Sequence, residues 1–176
     1  GYQAIQYAAD MGAHIINCSW GGYGADPGGQ EVIDYAISKG SVVVAASGNQ
    51  GIDTDVYDMY PACFDGVLSV GSTNNSDRVS SFSNYGWRMT TYAPGQSILS
   101  SYPNNQYRAA DGTSFSAPLV AGIAALVKTL HPDWTPEQII AQIRGTSDAM
   151  STVPAQNRPK YWGRVNAERA VKTNRL

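Results

Sequence analysis

Three short segments place residue types where acyl-transfer chemistry needs them. Gly112-Thr113-Ser114 opens a long apolar run, which puts Ser114 at the start of a helix. Unpaired backbone N–H groups and the helix dipole favour developing negative charge there, as an acyl-transfer nucleophile requires. The competing reading is an ordinary capping serine. Ser116 stands where a G-x-S-x-G elbow needs glycine, so that motif is excluded. Ser47-Gly48-Asn49-Gln50-Gly51 follows a buried apolar run, and its asparagine amide can aim a donor at an oxyanion. The alternative is an Asn-containing turn, while a phosphate loop fails for want of Gly-Lys-Ser/Thr or G-x-G-x-x-G. Ser19-Trp20-Gly21-Gly22 leaves backbone groups open for an extended peptide to add as a strand, or is simply a strand-to-loop turn.

The elements that must position these residues follow from periodicity. Residues 2–11 carry apolar side chains at helical spacing and stop at Gly12. Ala13–Trp20 reads as a buried strand, and Val32, Ile33, Ala36 and Ile37 mark a second amphipathic helix ending at Gly40. Val42-Val43-Val44-Ala45-Ala46 is a continuous apolar run of strand length, as in parallel sheets covered on both faces. A short strand is expected at Val67–Val70, and short extended pieces without a long helix over 71–111. Thr113–Val127 has no charge and reads as a central core helix, apolar on all sides; at fifteen residues it is too short for a bilayer. Further helices are expected from Pro136-Glu137 and up to Val171. Helices alternating with strands across short glycine turns predict an α/β fold: a three-layer, doubly wound, mainly parallel sheet in one unit, 1–176.

The bulk numbers bound the function. The chain has 176 residues, 43% hydrophobic and 15% charged, with a net charge of -2. That is enough for one buried core and argues against nucleic acid or a membrane surface as partner. Cys18 and Cys63 lack metal-ligand spacing and read as buried thiols or as a disulfide. No signal peptide is visible at Gly1.

Taken together, the segments resemble the subtilisin-like serine peptidases. Gly112 to Gly122 resembles that family's nucleophile motif, with Ser114 at the reactive position. Val44 to Asn49 resembles its oxyanion segment, and Ile16 to Gly22 its substrate strand. Weaker echoes are Tyr60-Pro61-Ala62, Ala93-Pro94-Gly95, His131-Pro132 and Gly163-Arg164-Val165-Asn166. The resemblance implies a serine endopeptidase acting on peptide or protein substrates, secreted or in the cell envelope. It assigns Ser114 as nucleophile, and Asn49 with the Ser114 N–H as oxyanion donors. It further implies that Ser19, Trp20 and Gly21 bind the substrate backbone. Ala45, Ala46 and Ser47 would wall the primary specificity pocket and Met59 would lie near its base.

The family's aspartate and histidine motifs are not in the sequence. Of the two histidines, His14 opens a strand. His131 lies seventeen residues beyond Ser114, about 25 Å along a continuous helix, far outside general-base reach. The reading is therefore the C-terminal part of a catalytic domain, predicted inactive alone, with the missing N-terminal half as its partner. An apolar sheet edge opened by truncation would favour dimerisation. The alternative is a non-catalytic binding or structural relative. Asp111 reads as a solvated turn residue. Asp26, Asp53, Asp55 and Asp58 sit on loops without EF-hand spacing. No cofactor is required; calcium is implied by family habit alone, with no ligand set that carries over.

Overall fold

The computed structural model describes residues 1–150 and 163–173. Helix α1 (Tyr2–Asp10) buries Ile5 and Ala9 and turns at Gly12, whose φ of 78° is left-handed. Strand β1 (Ile15–Cys18) follows, then the two-residue strand β2 (Gly22–Tyr23) and helix α2 (Gly29–Ser38). Next come β3 (Val42–Ala46), the short β4 (Met59–Tyr60), β5 (Leu68–Thr73) and β6 (Thr91–Pro94). Strands β7 (Ile98–Tyr102) and β8 (Gln106–Ala110) form an exposed hairpin leading into α3 (Thr113–Leu130). Helix α4 (Pro136–Thr146) opens with a Thr135–Gln138 capping box and a proline in its first turn. Strands β9 (Asp148–Ala149) and β10 (Gly163–Arg164) and helix α5 (Ala167–Lys172) complete the described residues.

The main sheet runs β1-β3-β5-β6-β10-β9, parallel throughout except for the β9–β10 pair. The continuous apolar run of β3 divides by strand alternation into two faces. Val42, Val44 and Ala46 join a core with α3, α4 and α5, whereas Val43 and Ala45 join a second core with α1 and α2. All five residues are buried, each of the valines stabilising the fold by about 1.5–3 kcal/mol on the usual area scale. The arrangement is thus a three-layer α/β sheet. Strand β1 is shorter than the 13–20 expected and β5 longer than 67–70.

Helix α3 is not buried on all sides: Val120, Ala124 and Val127 pack on the sheet, but Pro118, Leu119, Gly122, Ala125, Leu126 and Leu130 are exposed. Hydropathy counts apolar side chains and is blind to whether a neighbouring layer covers them. The same side of β1 is also open. Ile16 and Cys18 are buried toward α1 and α2, while Asn17, on the α3 side, is exposed.

At the far edge, Asp148 gathers β9, β10 and α5. Its carboxylate accepts from Asn166 Nδ2 (2.9 Å), Arg169 Nη1 (2.8 Å) and Arg164 Nη2 (3.2 Å), and Arg164 also pairs with Asp77 at 2.6 Å. The Asn166 hydrogen bond is the largest influence on the Asp148 carboxyl, and with the two arginines it outweighs the opposing effect of burial and holds the group below its ordinary range. A carboxyl whose pKa falls on folding adds stability above its unfolded value and loses it as pH drops through the folded value. Asp148→Asn should therefore lower Tm most at pH 6, and the gap to wild type should narrow only as pH falls below about 4. Thermal unfolding followed from pH 6 down to about pH 2 checks this.

Candidate active site

The carboxyl ends of β1 and β3 and the first turn of α3 meet at one cleft, as doubly wound sheets favour. Ser114 is the second residue of α3. Its Oγ donates to the Ser19 carbonyl at 3.2 Å, and Ser19 Oγ donates in return to the Ser114 carbonyl at 2.9 Å. Asn17 Nδ2 donates to Ser19 Oγ at 2.9 Å. Ser114 N–H is among the amides that the start of a helix leaves without an intrahelical partner.

Asn49 is held by its oxygen. Oδ1 accepts from Thr113 N (2.8 Å) and Thr113 Oγ1 (2.9 Å), and Thr113 Oγ1 itself accepts from Gly48 N at 3.2 Å. Among the described residues Asn49 Nδ2 has no partner, so its two hydrogens stay free to donate. A Cβ at Gly112 would stand 3.4 Å from Asn49 Nδ2 and 3.7 Å from Ser114 N. The glycine thus leaves open the space between the two donors, as an oxyanion site requires.

The loop carrying Asn49 is braced by a residue that no sequence motif marks. Buried Asn84 donates from Nδ2 to Ser47 O (2.8 Å) and accepts at Oδ1 from Gln50 N (3.0 Å) and Ile52 N (3.2 Å). No local pattern announces a partner 34 residues away. Thr113 is likewise visible in the sequence only as part of the motif around Ser114.

Trp20, Gly21, Ala46, Gly48, Asn49, Gln50, Met59, Thr113 and Ser114 line a cleft of about 110 Å³. The β2–β4 pairing, Tyr23 opposite Met59, carries Met59 to its floor. Gly21 lies against Met59, where a Cβ would meet Tyr60 O at 2.9 Å and Met59 Sδ at 3.2 Å. Ala45 turns its side chain into the α1–α2 core instead, and Ser47 is buried behind the cleft with Oγ 3.5 Å from Asn84 O. The backbone N–H groups of Ser19, Trp20 and Gly21 make no hydrogen bond among the described residues, leaving a short stretch that a peptide strand can pair with.

Neither histidine is near Ser114. His14 precedes β1 at the opposite end of the sheet, and His131 ends α3, stacked on Trp134 at 3.7 Å. Both cysteines are free, buried thiols. Burial pushes Cys18 up to about 11 and also raises Cys63, so neither is a ready nucleophile. Among the described residues no three His, Cys, Asp or Glu side chains form a cradle for calcium or another metal. Asp53 and Asp55 accept from loop N–H groups, Asp26 from Gly28 N, Asp58 pairs with Arg88, and Asp111 with Ser97 N.

The subtilase family model matches residues 2–164. Thermitase of Thermoactinomyces vulgaris is 42% identical over 95% of this chain and 57% of its own length. Subtilisin BL of Lederbergia lenta is 35% identical over 97% of the chain and 61% of its own length. The chain thus spans roughly three fifths of these relatives. Among solved structures, the epidermin leader peptide processing serine protease of Staphylococcus aureus superposes with a TM-score of 0.87 at 26% identity, over 99% of this chain and 54% of that one. A cold-adapted subtilisin-like serine proteinase gives 0.84 at 28% identity, over 94% and 60%.

The Thr113 clamp is testable without any assay of turnover. Thr113 is fully buried, and Thr113→Val strips a donor from Asn49 and an acceptor from Gly48. Urea unfolding should show a loss of about 1–3 kcal/mol, with Thr113→Ser costing clearly less.

Proposed function

The chain belongs to the subtilase family, and from that premise we propose that it supplies the nucleophile, oxyanion donors and substrate strand of a serine endopeptidase. The observation that carries this reading is the convergence of Ser114 Oγ, the free Asn49 amide and the open Ser19–Gly21 backbone on one cleft. An extended peptide pairs with Ser19, Trp20 and Gly21, placing its carbonyl carbon beside Ser114 Oγ. Oγ attacks, its proton passes to a histidine, and the carbonyl oxygen becomes an oxyanion held by Asn49 Nδ2 and Ser114 N–H. Collapse expels the amine, which takes that proton, and water then releases the acyl group by the reverse sequence.

The histidine and the aspartate that orients it lie, in this proposal, in a part of the protein outside these 176 residues. The bare stripe of α3 starts one turn beyond Ser114 and the open side of β1 adjoins it, so a segment packed there reaches the nucleophile. In the isolated chain the same surfaces favour self-association. The proposed reaction runs on these side chains and requires no cofactor, and any calcium would be structural. A location outside the cell belongs to the same proposal and rests on the family alone.

The cleft floor sets a preference. Met59 is 4% exposed and fills the base of an uncharged pocket of about 110 Å³, which suits a small apolar side chain before the scissile bond. Met59→Ala should raise kcat/KM for leucine over alanine at that position on the order of tenfold, measured with paired peptide substrates.

The central test uses a fluorophosphonate, which bonds to an activated serine oxygen with loss of fluoride. Ser114 in the isolated chain should label negligibly, and rapidly once the rest of the domain is present. Rapid labelling of the chain alone would falsify an external base. An unlabelled complete domain would point to a binding or structural role instead.

A further inference from the structure

Helix α3 contains Pro118, four residues beyond Ser114. In an α-helix the N–H of residue i+4 bonds the carbonyl of residue i, and proline has none. The nucleophile's own carbonyl is thereby deprived of its helical donor. The hydrogen bond that replaces it comes from outside the helix: Ser19 Oγ donates to Ser114 O at 2.9 Å. Asn17 Nδ2 donates to that same Oγ at 2.9 Å. The lone pair facing Asn17 is thus used and the hydroxyl proton is directed toward Ser114. In the other direction Ser114 Oγ rests on Ser19 O at 3.2 Å. Main chain and side chain of residue 114 are both tied to residue 19.

We propose that Ser19 is a positioning residue whose hydroxyl stands in for the N–H missing at Pro118 and sets where the nucleophile sits relative to the bound substrate strand. This rests on the peptidase reading above. Ser19 also begins the backbone stretch that pairs with substrate, so peptide docking and nucleophile placement share one residue. An N–H restored at residue 118 would compete for the same carbonyl and make the Ser19 hydroxyl less important.

The test is a double-mutant cycle of Ser19→Ala and Pro118→Ala in the complete peptidase domain, read by thermal unfolding and by steady-state kinetics. Ser19→Ala should lower Tm by about 2–4 °C with Pro118 present and by less than half of that in the Pro118→Ala background. It should reduce kcat on the order of tenfold while changing KM less than about twofold, because misplacement of a reacting atom acts on the chemical step. In the Pro118→Ala background the kcat penalty of Ser19→Ala should shrink. Additive Tm effects would show that the two residues do not share the carbonyl and would overturn the inference. Coupled Tm effects with unchanged kcat would reduce Ser19 to a helix cap, which overturns it equally. A parent domain without turnover would instead sink the peptidase reading, and the thermal cycle alone would then decide whether Ser19 holds Ser114.

Discussion

The oxygen of the Asn49 carboxamide takes both the backbone N–H and the hydroxyl of Thr113, and on this junction the site depends. A backbone N–H can only donate, so the amide's oxygen must face Thr113 and its nitrogen must face the cleft. Rotated by half a turn, the same side chain would present an oxygen to a developing oxyanion and repel it. The choice is made by two donors 64 residues away in sequence. The clamp also fixes distance: Thr113 is the first residue of α3 and Ser114 the second, so whatever holds Asn49 to Thr113 holds it beside Ser114.

That junction needs a rigid base on either side. On the sheet side, β3 is enclosed between two cores and ends in a loop braced by Asn84. On the helix side, Ser116 Oγ donates to Ala93 O (3.0 Å) and Pro94 O (3.2 Å), tying the first turn of α3 to the end of β6. Gly95 permits this approach, since a side chain there would collide with Ser116 Oγ and Ser72 Oγ. Ser114 therefore stands on a turn fastened to two strands. Such preorganisation leaves less reorganisation for the moment of reaction.

Which parts of this are legible in the sequence follows from range. Strand β3 is readable to its boundaries because burial on both faces writes an unbroken apolar run. The start of α4 is readable because a capping box and a first-turn proline are local signals. Ser114 and Asn49 are legible through motifs of a few contiguous residues. Asn84 is not, since its partners at Ser47, Gln50 and Ile52 come together only when the fold forms. The division of Ala45 from Ala46 is hidden too: an all-apolar strand does not reveal which residue faces the cleft and which the opposite core. The pocket is consequently narrower in membership than the segment expected to form its wall.

The exposed face of α3 is illegible for a different reason: its composition is that of a buried helix. The polar side chain of Asn17, by contrast, sits on the α3 side of β1, between the buried Ile16 and Cys18. β1 is a parallel strand with one flank unpaired among the described residues, although parallel strands are normally covered and flanked. Both features lie on one side of the sheet, with Asn17 and the start of the α3 stripe near Ser114, while on the other side Ile5, Ala9, Ile33 and Ala36 fill the α1–α2 core. Bare apolar surface running up to Ser114 supports the proposal that a further segment of the protein packs on α3 and β1. In that proposal the segment that buries the start of the α3 stripe also carries the base to Ser114, which would link completing the core to activating the serine.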